Sequence, residues 1–194
     1  MRILIVLAHP RSDSFNAAVC AALREGLQAA GHAIDIADLN AEGFDPVLRG
    51  PELNAVGTST PLEDVVRYQQ RILKADAMAF IFPVWWFGLP AILKGFVDRV
   101  FQEGFAFRFT EDGKVVGLLR HKKALVIGTA GATAALYRLF RFGNPLKKTF
   151  GEWTLKMCGI RAVRYLLLYD VVNVDAAART RYLDKVRQLG LRYF

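Results

Sequence analysis

The sequence has few of the residues that form metal sites and disulfide frameworks. Its 194 residues include two cysteines, Cys20 and Cys158, and three histidines, His9, His32 and His121. The cysteines are far apart in helix-like segments, and the histidines share no ligand spacing with them. Two structural thiols are therefore expected, rather than a disulfide or a metal centre.

Long apolar runs and several motifs are also missing. No run reaches the roughly 18 residues that a membrane span needs. The start MRILIVLAHP is too short and too strand-like for a signal peptide, and no small-residue cleavage site follows, so we expect a cytoplasmic protein. Without G-x-G-x-x-G, the P-loop motif or G-x-S-x-G, nothing supports a Rossmann dinucleotide site, a P-loop hydrolase or a serine hydrolase.

Acidic residues are scarce in one part of a basic chain. The net charge is +8. The segment from Lys114 to Arg164 contains eleven Lys or Arg residues and a single acidic residue, Glu152. Such an excess fits either a surface for an anionic ligand or a solvated basic face. No nucleic-acid motif accompanies it, so no nucleic-acid partner is expected. With 53% hydrophobic and 23% charged residues, the composition is that of one well-packed domain over residues 1–194.

Continuous apolar runs alternate with segments of helical period. Strands are predicted over Ile3–Ala8, Ala33–Leu39, Ala77–Phe82, Lys122–Thr129 and Val163–Tyr169. Helices are predicted over Phe15–Ala30, Leu62–Lys74, a stripe from Leu89 to Phe101, Pro145–Cys158 and Asp175–Leu191, with a long excursion over Asn40–Pro61. Buried strands separated by helices predict an α/β fold, a doubly wound three-layer sandwich around a five-stranded parallel sheet. Ligands of such sheets bind at the carboxyl ends of the strands.

Three loops follow strand ends at that edge. Residues 9–16 (HPRSDSFN) could hold an anion at a helix start, although Ser12 or Ser14 could equally serve as a helix cap. Residues 83–89 (PVWWFGL) place three aromatic rings where the next helix does not need them, which fits a planar ligand or a partner subunit. Residues 129–137 (TAGATAALY) are mostly small and end in Tyr137. This pattern fits either a loop that a ligand approaches closely or a simple strand-to-helix turn.

Three segments together resemble the flavodoxin-like NAD(P)H:quinone oxidoreductases. They are ILIVLAHPRSDSFN, PVWWFGLPAILKGFVDRVFQEGFAF and KKALVIGTAGA with the later LY. That family includes mammalian quinone reductases and bacterial relatives, among them ancillary quinone reductases of potassium-efflux systems. The resemblance implies a sheet order of 2-1-3-4-5, bound FAD or FMN, a homodimer with shared active sites, and ping-pong two-electron transfer from NAD(P)H to a quinone.

The same resemblance implies a set of site residues. Four would hold the flavin phosphate or pyrophosphate: His9, Ser14, Phe15 and Asn16. Five would bind the isoalloxazine: Pro83, Val84, Trp85, Trp86 and Phe87. Thr129, Ala130 and Gly131 would flank its other edge, and Tyr137 would lie near its polar edge.

The sequence departs from the family pattern at two places, after Tyr137 and in the third loop. Gly143 stands where family members carry a histidine, which makes Arg141 the candidate to act with Tyr137 in stabilising the reduced flavin. Ala130 and Ala132 replace a more glycine-rich pattern. The alternatives are an azo, nitro or flavin reductase on the same scaffold, and a regulatory flavoprotein associated with a membrane transporter. An electron carrier is disfavoured because such carriers are usually acidic.

Overall fold

The computed structural model describes residues 1–54, 62–121, 123–139 and 145–194. Its strands are β1 Arg2–Leu7, β2 Ala33–Asp38, β3 Ala77–Pro83, β4 Phe107–Phe109, β5 Val115–Gly117, β6 Lys123–Thr129 and β7 Ala162–Leu168. Its α-helices are α1 Phe15–Ala29, α2 Gly50–Asn54, α3 Glu63–Lys74, α4 Ala91–Val100, α5 Ala134–Leu139 and α6 Ala176–Arg192. A π-helical segment, Lys147–Leu155, precedes β7.

Five parallel strands form one sheet in the order β2-β1-β3-β6-β7. With the short hairpin β4–β5 set aside, this order is 2-1-3-4-5, which confirms the fold expected from the sequence. The central strand β3 is buried at every position, whereas the edge strands β2 and β7 are only partly covered. Burial on both faces explains the continuous apolar run of β3.

Helices cover both faces of the sheet and bury a core on each. On one face α3, α4 and the π-helical segment pack on a cluster that includes Phe80, Phe96 and Phe150. On the other face α1 and α6 pack on a cluster that includes Ile5 and Ile81. These two layers leave the loops at the strand ends as the places where side chains can meet a ligand.

Several elements differ from the sequence prediction. Helix α2 lies inside the predicted excursion over Asn40–Pro61, and α5 begins inside the predicted loop over residues 129–137. The hairpin β4–β5 was not foreseen, because each strand has three residues and most of their side chains are exposed. The predicted helix over Pro145–Cys158 contains the wider turns of the π-helical segment. Insertions of this kind occur often near functional sites. Within the described ranges, no helix combines the length and the apolar character needed to cross a membrane.

Buried Arg99 holds part of the long excursion against α4. Its side chain is 2% exposed and forms ion pairs of 2.8 Å with Glu52 and with Asp64. It also donates to the backbone oxygen of Asp45 at 2.7 Å. One guanidinium therefore joins α2, the start of α3 and the segment between β2 and α2.

Candidate functional site

Loops at the carboxyl edge of the sheet enclose a cleft of about 480 Å³. The strand register brings them together, because Pro83 pairs with Thr129 and Thr129 pairs with Leu168. We call it the carboxyl-edge cleft, and its lining residues are His9, Phe15, Asn16, Pro83, Val84, Trp85, Trp86, Thr129, Gly131, Val171 and Val172. Its volume lies within the range of about 300–1,000 Å³ typical of small-molecule sites.

The aromatic loop is a tight turn with an unusual backbone. Gly88 N–H donates to Trp85 O at 2.9 Å, and Trp85 N–H donates to Gly88 O at 3.3 Å. The two central residues, Trp86 and Phe87, have φ angles of 49° and 59°. Positive φ at both centres is the geometry of a type I′ turn, which favours Asn and Gly. Bulky side chains there store conformational strain, a feature that clusters at ligand sites.

The rings of this turn are outside the core. Trp86 is 96% exposed, Trp85 47% and Phe87 38%. Trp85 lies beside His9, with ring centroids 6.4 Å apart, and Phe87 meets Tyr137 edge-on at 5.6 Å. The turn therefore presents flat apolar surface around the cleft, as expected for rings that contact a planar ligand or a partner subunit.

The first loop places free amide groups at the cleft. Ser14 caps α1, its hydroxyl oxygen accepting a hydrogen bond of 3.2 Å from Ala17 N–H. In the described part of the chain, the backbone N–H groups of Phe15 and Asn16 meet no acceptor, as is usual for the first turn of a helix. His9 Nδ1 lies 3.1 Å from Arg11 N and 3.2 Å from Arg11 O, so the backbone of Arg11 offers a partner to either tautomer of the ring. Helix starts of this kind bind phosphate groups.

Arg11 itself is engaged with a neighbouring acid. Its guanidinium meets the Asp13 carboxylate through two contacts, of 2.9 and 2.8 Å, and both side chains are 71% exposed. The pair lowers the pKa of Asp13, first through the hydrogen bond from Arg11 and then through its charge. The charge of Arg11 is therefore already matched by Asp13 within this loop.

A buried polar contact connects the first and third loops. Asn16 and Thr129 are each 3% exposed, and Asn16 Nδ2 donates to Thr129 Oγ1 at 2.9 Å. Beyond Thr129, Ala130 N–H is bonded to Leu168 O at 2.8 Å, so Ala130 extends the sheet. Exposed Gly131 follows in the wall of the cleft, where its missing side chain leaves room for a ligand.

Tyr137 is buried behind the aromatic turn. It lies on α5, is 6% exposed, and packs against Phe87 and Tyr169 with ring centroids at 5.6 and 5.3 Å. Burial raises the pKa of Tyr137, and the neighbouring Tyr169 raises it further. The phenol therefore keeps its proton at neutral pH. Arg141, the other candidate for stabilising charge, and Gly143 lie outside the described residues.

A fourth loop contributes residues that the sequence prediction missed. Val171 and Val172 follow β7 and line the cleft, and Asp170 before them has a φ of 55°. Arg179 supports this loop, its Nη2 donating to Val171 O at 3.3 Å and to Val172 O at 3.2 Å. The sequence could have indicated these residues only through their position after β7, because β7 ends at the same edge of the sheet as the other parallel strands.

Comparisons with known proteins agree with this fold. The model of the Flavodoxin_2 family, described as a flavodoxin-like fold, matches residues 1–189. The solved structure of an NAD(P)H:quinone oxidoreductase from Methanothermobacter marburgensis has a TM-score of 0.89 and 32% identity. The match covers 100% of this chain and 96% of that one.

Two curated relatives extend the likeness in sequence. An uncharacterized NAD(P)H oxidoreductase of Haemophilus influenzae is 34% identical over 97% of this chain and 93% of its own length. The NAD(P)H dehydrogenase [quinone] 1 of Cavia porcellus is 33% identical, over 94% of this chain and 73% of its own length.

Proposed function

The chain belongs to the flavodoxin-like fold family that matches residues 1–189, as its sequence motifs indicated, and we propose that it is a flavin-dependent NAD(P)H:quinone oxidoreductase. Its relatives include oxidoreductases named for NAD(P)H and for quinones, and this homology makes the chain an oxidoreductase. The resident group is a flavin, either FAD or FMN. NAD(P)H is the electron donor, and a quinone is the acceptor.

One observation carries the proposal: an anion-binding helix start and an aromatic wall border the same cleft. The free amides of Phe15 and Asn16 begin α1 on one side, and Trp85 and Trp86 stand on the other. A flavin carries a phosphate at one end and a planar ring at the other. The cleft supplies a partner for each end. Gly131, which has no side chain, lines the same cleft and would let the ligand approach the backbone.

The residues present fit a flavin, and different residues would bind its phosphate and its ring. The amides at the start of α1 and His9 would bind the phosphate, and Ser14 would keep that helix start in place. Pro83, Val84 and the Trp85–Gly88 turn would hold the ring, flanked by Thr129–Gly131. A bound flavin would supply two-electron hydride transfer, which no side chain can provide.

The exposed aromatic surface would position the two substrates. The Trp86 ring is almost fully exposed, and Phe87 lies beside it against Tyr137. Nicotinamide and quinone rings are both flat and apolar, so the same platform would accept either by stacking. Shared use of one platform is consistent with substrates that bind in turn rather than together.

Tyr137 would stabilise negative charge in the cleft. Because its pKa is raised by burial, its hydroxyl stays a donor at neutral pH. A fixed donor beside developing charge lowers the barrier of a hydride transfer more than a water molecule would. Arg141 remains a second candidate for this role.

Exposure of Trp86 also supports the homodimer expected from the sequence. A tryptophan that is 96% exposed on a strained turn is costly in a monomer, whereas tryptophan is enriched in interface cores. In a dimer with shared sites, the partner would cover the outer side of the cleft and exclude water. Sedimentation of the purified protein would test this part of the proposal.

The visible spectrum of the purified protein tests the proposed function. A flavin spectrum, bleached by anaerobic NADH or NADPH and restored by a quinone, is expected. Chromatography of the released cofactor separates FAD from FMN. A panel of quinone, azo, nitroaromatic and free-flavin acceptors then separates a quinone reductase from the other reductases. A colourless protein that gains no flavin from added FAD or FMN would contradict the proposal.

A further inference from the structure

A second concave surface lies at the opposite edge of the sheet. It has a volume of about 780 Å³ and is lined by segments that precede β6 and β7. Its ionisable lining residues are Arg120, His121, Lys156 and Arg161, and no carboxylate of the described residues lines it. We call this surface the basic cleft. Its size falls within the range of small-molecule sites.

The basic cleft is separate from the carboxyl-edge cleft. Arg120 and His121 come just before β6, whose far end, Thr129, lines the other cleft. The strand has seven residues, Lys123–Thr129, and rises about 3.3 Å per residue, which sets the two clefts about 20 Å apart. The two clefts are therefore distinct and lie at opposite edges of the sheet.

The cations of the basic cleft are not used by the fold. Arg71, Arg99 and Arg187 each pair with two carboxylates. By contrast, none of the three cations that line the basic cleft forms an ion pair with any carboxylate in the ranges that the structure describes. A neighbouring cleft of about 440 Å³ shares Arg120 and His121 and contains Asp76. That carboxylate accepts Arg2 N–H at 2.7 Å.

The floor of the basic cleft is fixed by backbone packing. A Cβ atom on Gly117 would come within 2.3 Å of Gly159 N, so β5 and the turn before β7 are in direct contact there. Gly159 has a φ of +103°, a conformation that only glycine adopts readily. Leu119 N–H donates to Cys158 O at 2.9 Å beside this contact. The cleft is thus shaped by the fold before any ligand arrives.

His121 adds an unsatisfied polar group to this surface. It is 6% exposed, and its Nε2–H donates to Ile72 O at 2.9 Å. Its Nδ1 has no partner among the described residues. Buried polar atoms rarely remain unpaired, and those that do often mark a place for a ligand or water.

We propose that the basic cleft binds a small molecule carrying a diphosphate group. Three unpaired cations match the roughly three negative charges of a diphosphate, and arginine forks match phosphate oxygens in geometry. The net charge of +8 favours the approach of such an anion.

Calorimetric titration with pyrophosphate tests this proposal. The protein is first saturated with whichever flavin it retains, so that any phosphate site at α1 is filled. The variant Arg120→Gln/Arg161→Gln is compared with the wild type and with Arg24→Gln/Lys185→Gln, which removes the same charge from exposed positions on α1 and α6. We expect saturable binding that weakens about tenfold or more in the cleft variant only. Quinone reduction should be equal in all three proteins.

Other outcomes overturn the proposal. Equal affinity in all three proteins would place the anion elsewhere, and an equal loss in both variants would mean that only net charge matters. No saturable binding to the wild type would exclude the site. Vesicles of phosphatidylcholine with and without phosphatidylserine provide a last comparison. Protein held by the anionic vesicles alone, without pyrophosphate binding, would contradict a small-molecule site and assign the phosphate to a lipid.

Discussion

Asn16 Nδ2 donates a hydrogen bond of 2.9 Å to Thr129 Oγ1, joining the first turn of α1 to the last residue of β6. The two residues are 113 positions apart in sequence and both are buried under the carboxyl-edge cleft. This one contact fixes the proposed phosphate end of the site relative to the loop that would flank the flavin ring. Its loss should affect stability and cofactor binding together.

Replacing Asn16 with alanine should lower the free energy of unfolding by about 1–3 kcal/mol, because Thr129 loses its buried partner. Urea denaturation of Asn16→Ala, Thr129→Val and the double variant measures the coupling between them. We expect the double variant to cost less than the sum of the single ones. Asn173→Ala, which removes an exposed contact to Asp170, should change stability little. Additive costs would mean that the two residues act independently.

Trp86→Ala should spare the fold and impair turnover. Because the ring is 96% exposed in the single chain, the free energy of unfolding of the protomer should change by no more than about 0.5 kcal/mol, and any weakening of the proposed dimer would appear separately in sedimentation. Loss of the stacking surface should slow flavin reduction and quinone turnover by about tenfold or more. Trp153→Ala, at a ring that is 72% exposed outside the cleft lining, is the matched control for lost aromatic surface. A large loss of stability with normal turnover in the remaining folded protein would show that Trp86 serves packing rather than substrate positioning.

Tyr137→Phe should reduce kcat with little change in flavin affinity. The hydroxyl would be lost while the ring keeps its contacts with Phe87 and Tyr169, and loss of a donor at developing charge costs about a hundredfold to a thousandfold in rate. The raised pKa of Tyr137 also sets a pH window. The donor is fully present below the ordinary tyrosine pKa of 10.0 and is lost only as pH rises through the raised pKa above it, so the wild-type rate should show no decline from this group at neutral pH. An unchanged kcat in Tyr137→Phe would remove the residue from the mechanism.

Arg99→Met should destabilise the protein by about 3–5 kcal/mol, because it leaves a buried carboxylate without its cation. Glu52 is the more buried of the two partners, at 5% side-chain exposure, whereas Asp64 is 38% exposed. Arg99→Met/Glu52→Gln should therefore recover part of the loss. Thermal unfolding of both variants checks this. Equal stability of the single and double variants would show that the charge left on Glu52 is harmless.

The two thiols should be inert in the native protein. Burial raises the pKa of Cys20 and of Cys158 to about 11, so neither forms a thiolate near pH 8. Iodoacetamide should label neither until the chain is unfolded in guanidinium, and then both. The contribution of these groups to stability is complete below the ordinary pKa of 9.0 and declines as pH rises towards 11. Rapid labelling of one thiol in the folded state would indicate local opening at that residue.

Sequence patterns predicted the sheet because burial leaves a direct trace in composition. The run from Ala77 to Phe82 is apolar at each position, and β3 is buried at each of them. The loops at 9–16, 83–89 and 129–137 could be placed together for the same reason, since parallel strands end at one edge. Those loops do border one cleft.

Features that depend on distant partners were not predictable in this way. Arg99 falls on the buried face of α4 only because Glu52 and Asp64 reach it from other elements. Val171 and Val172 carry no motif, and only the position of β7 shows that they line the cleft. The positive φ angles of Trp86 and Phe87 contradict local preference, which is a reason to associate them with function.

In the Trp85–Gly88 turn, the residues that would stabilise the backbone differ from the aromatic residues that the proposed activity needs. Asn-Gly is the pair that its backbone prefers, so exchanging Trp86 and Phe87 for it should raise the melting temperature. A directed-evolution screen that rewards heat resistance alone would therefore select against the aromatic rings and still yield well-folded protein. For any engineering of this chain, residues 86 and 87 should be held constant, or turnover should be scored in every round.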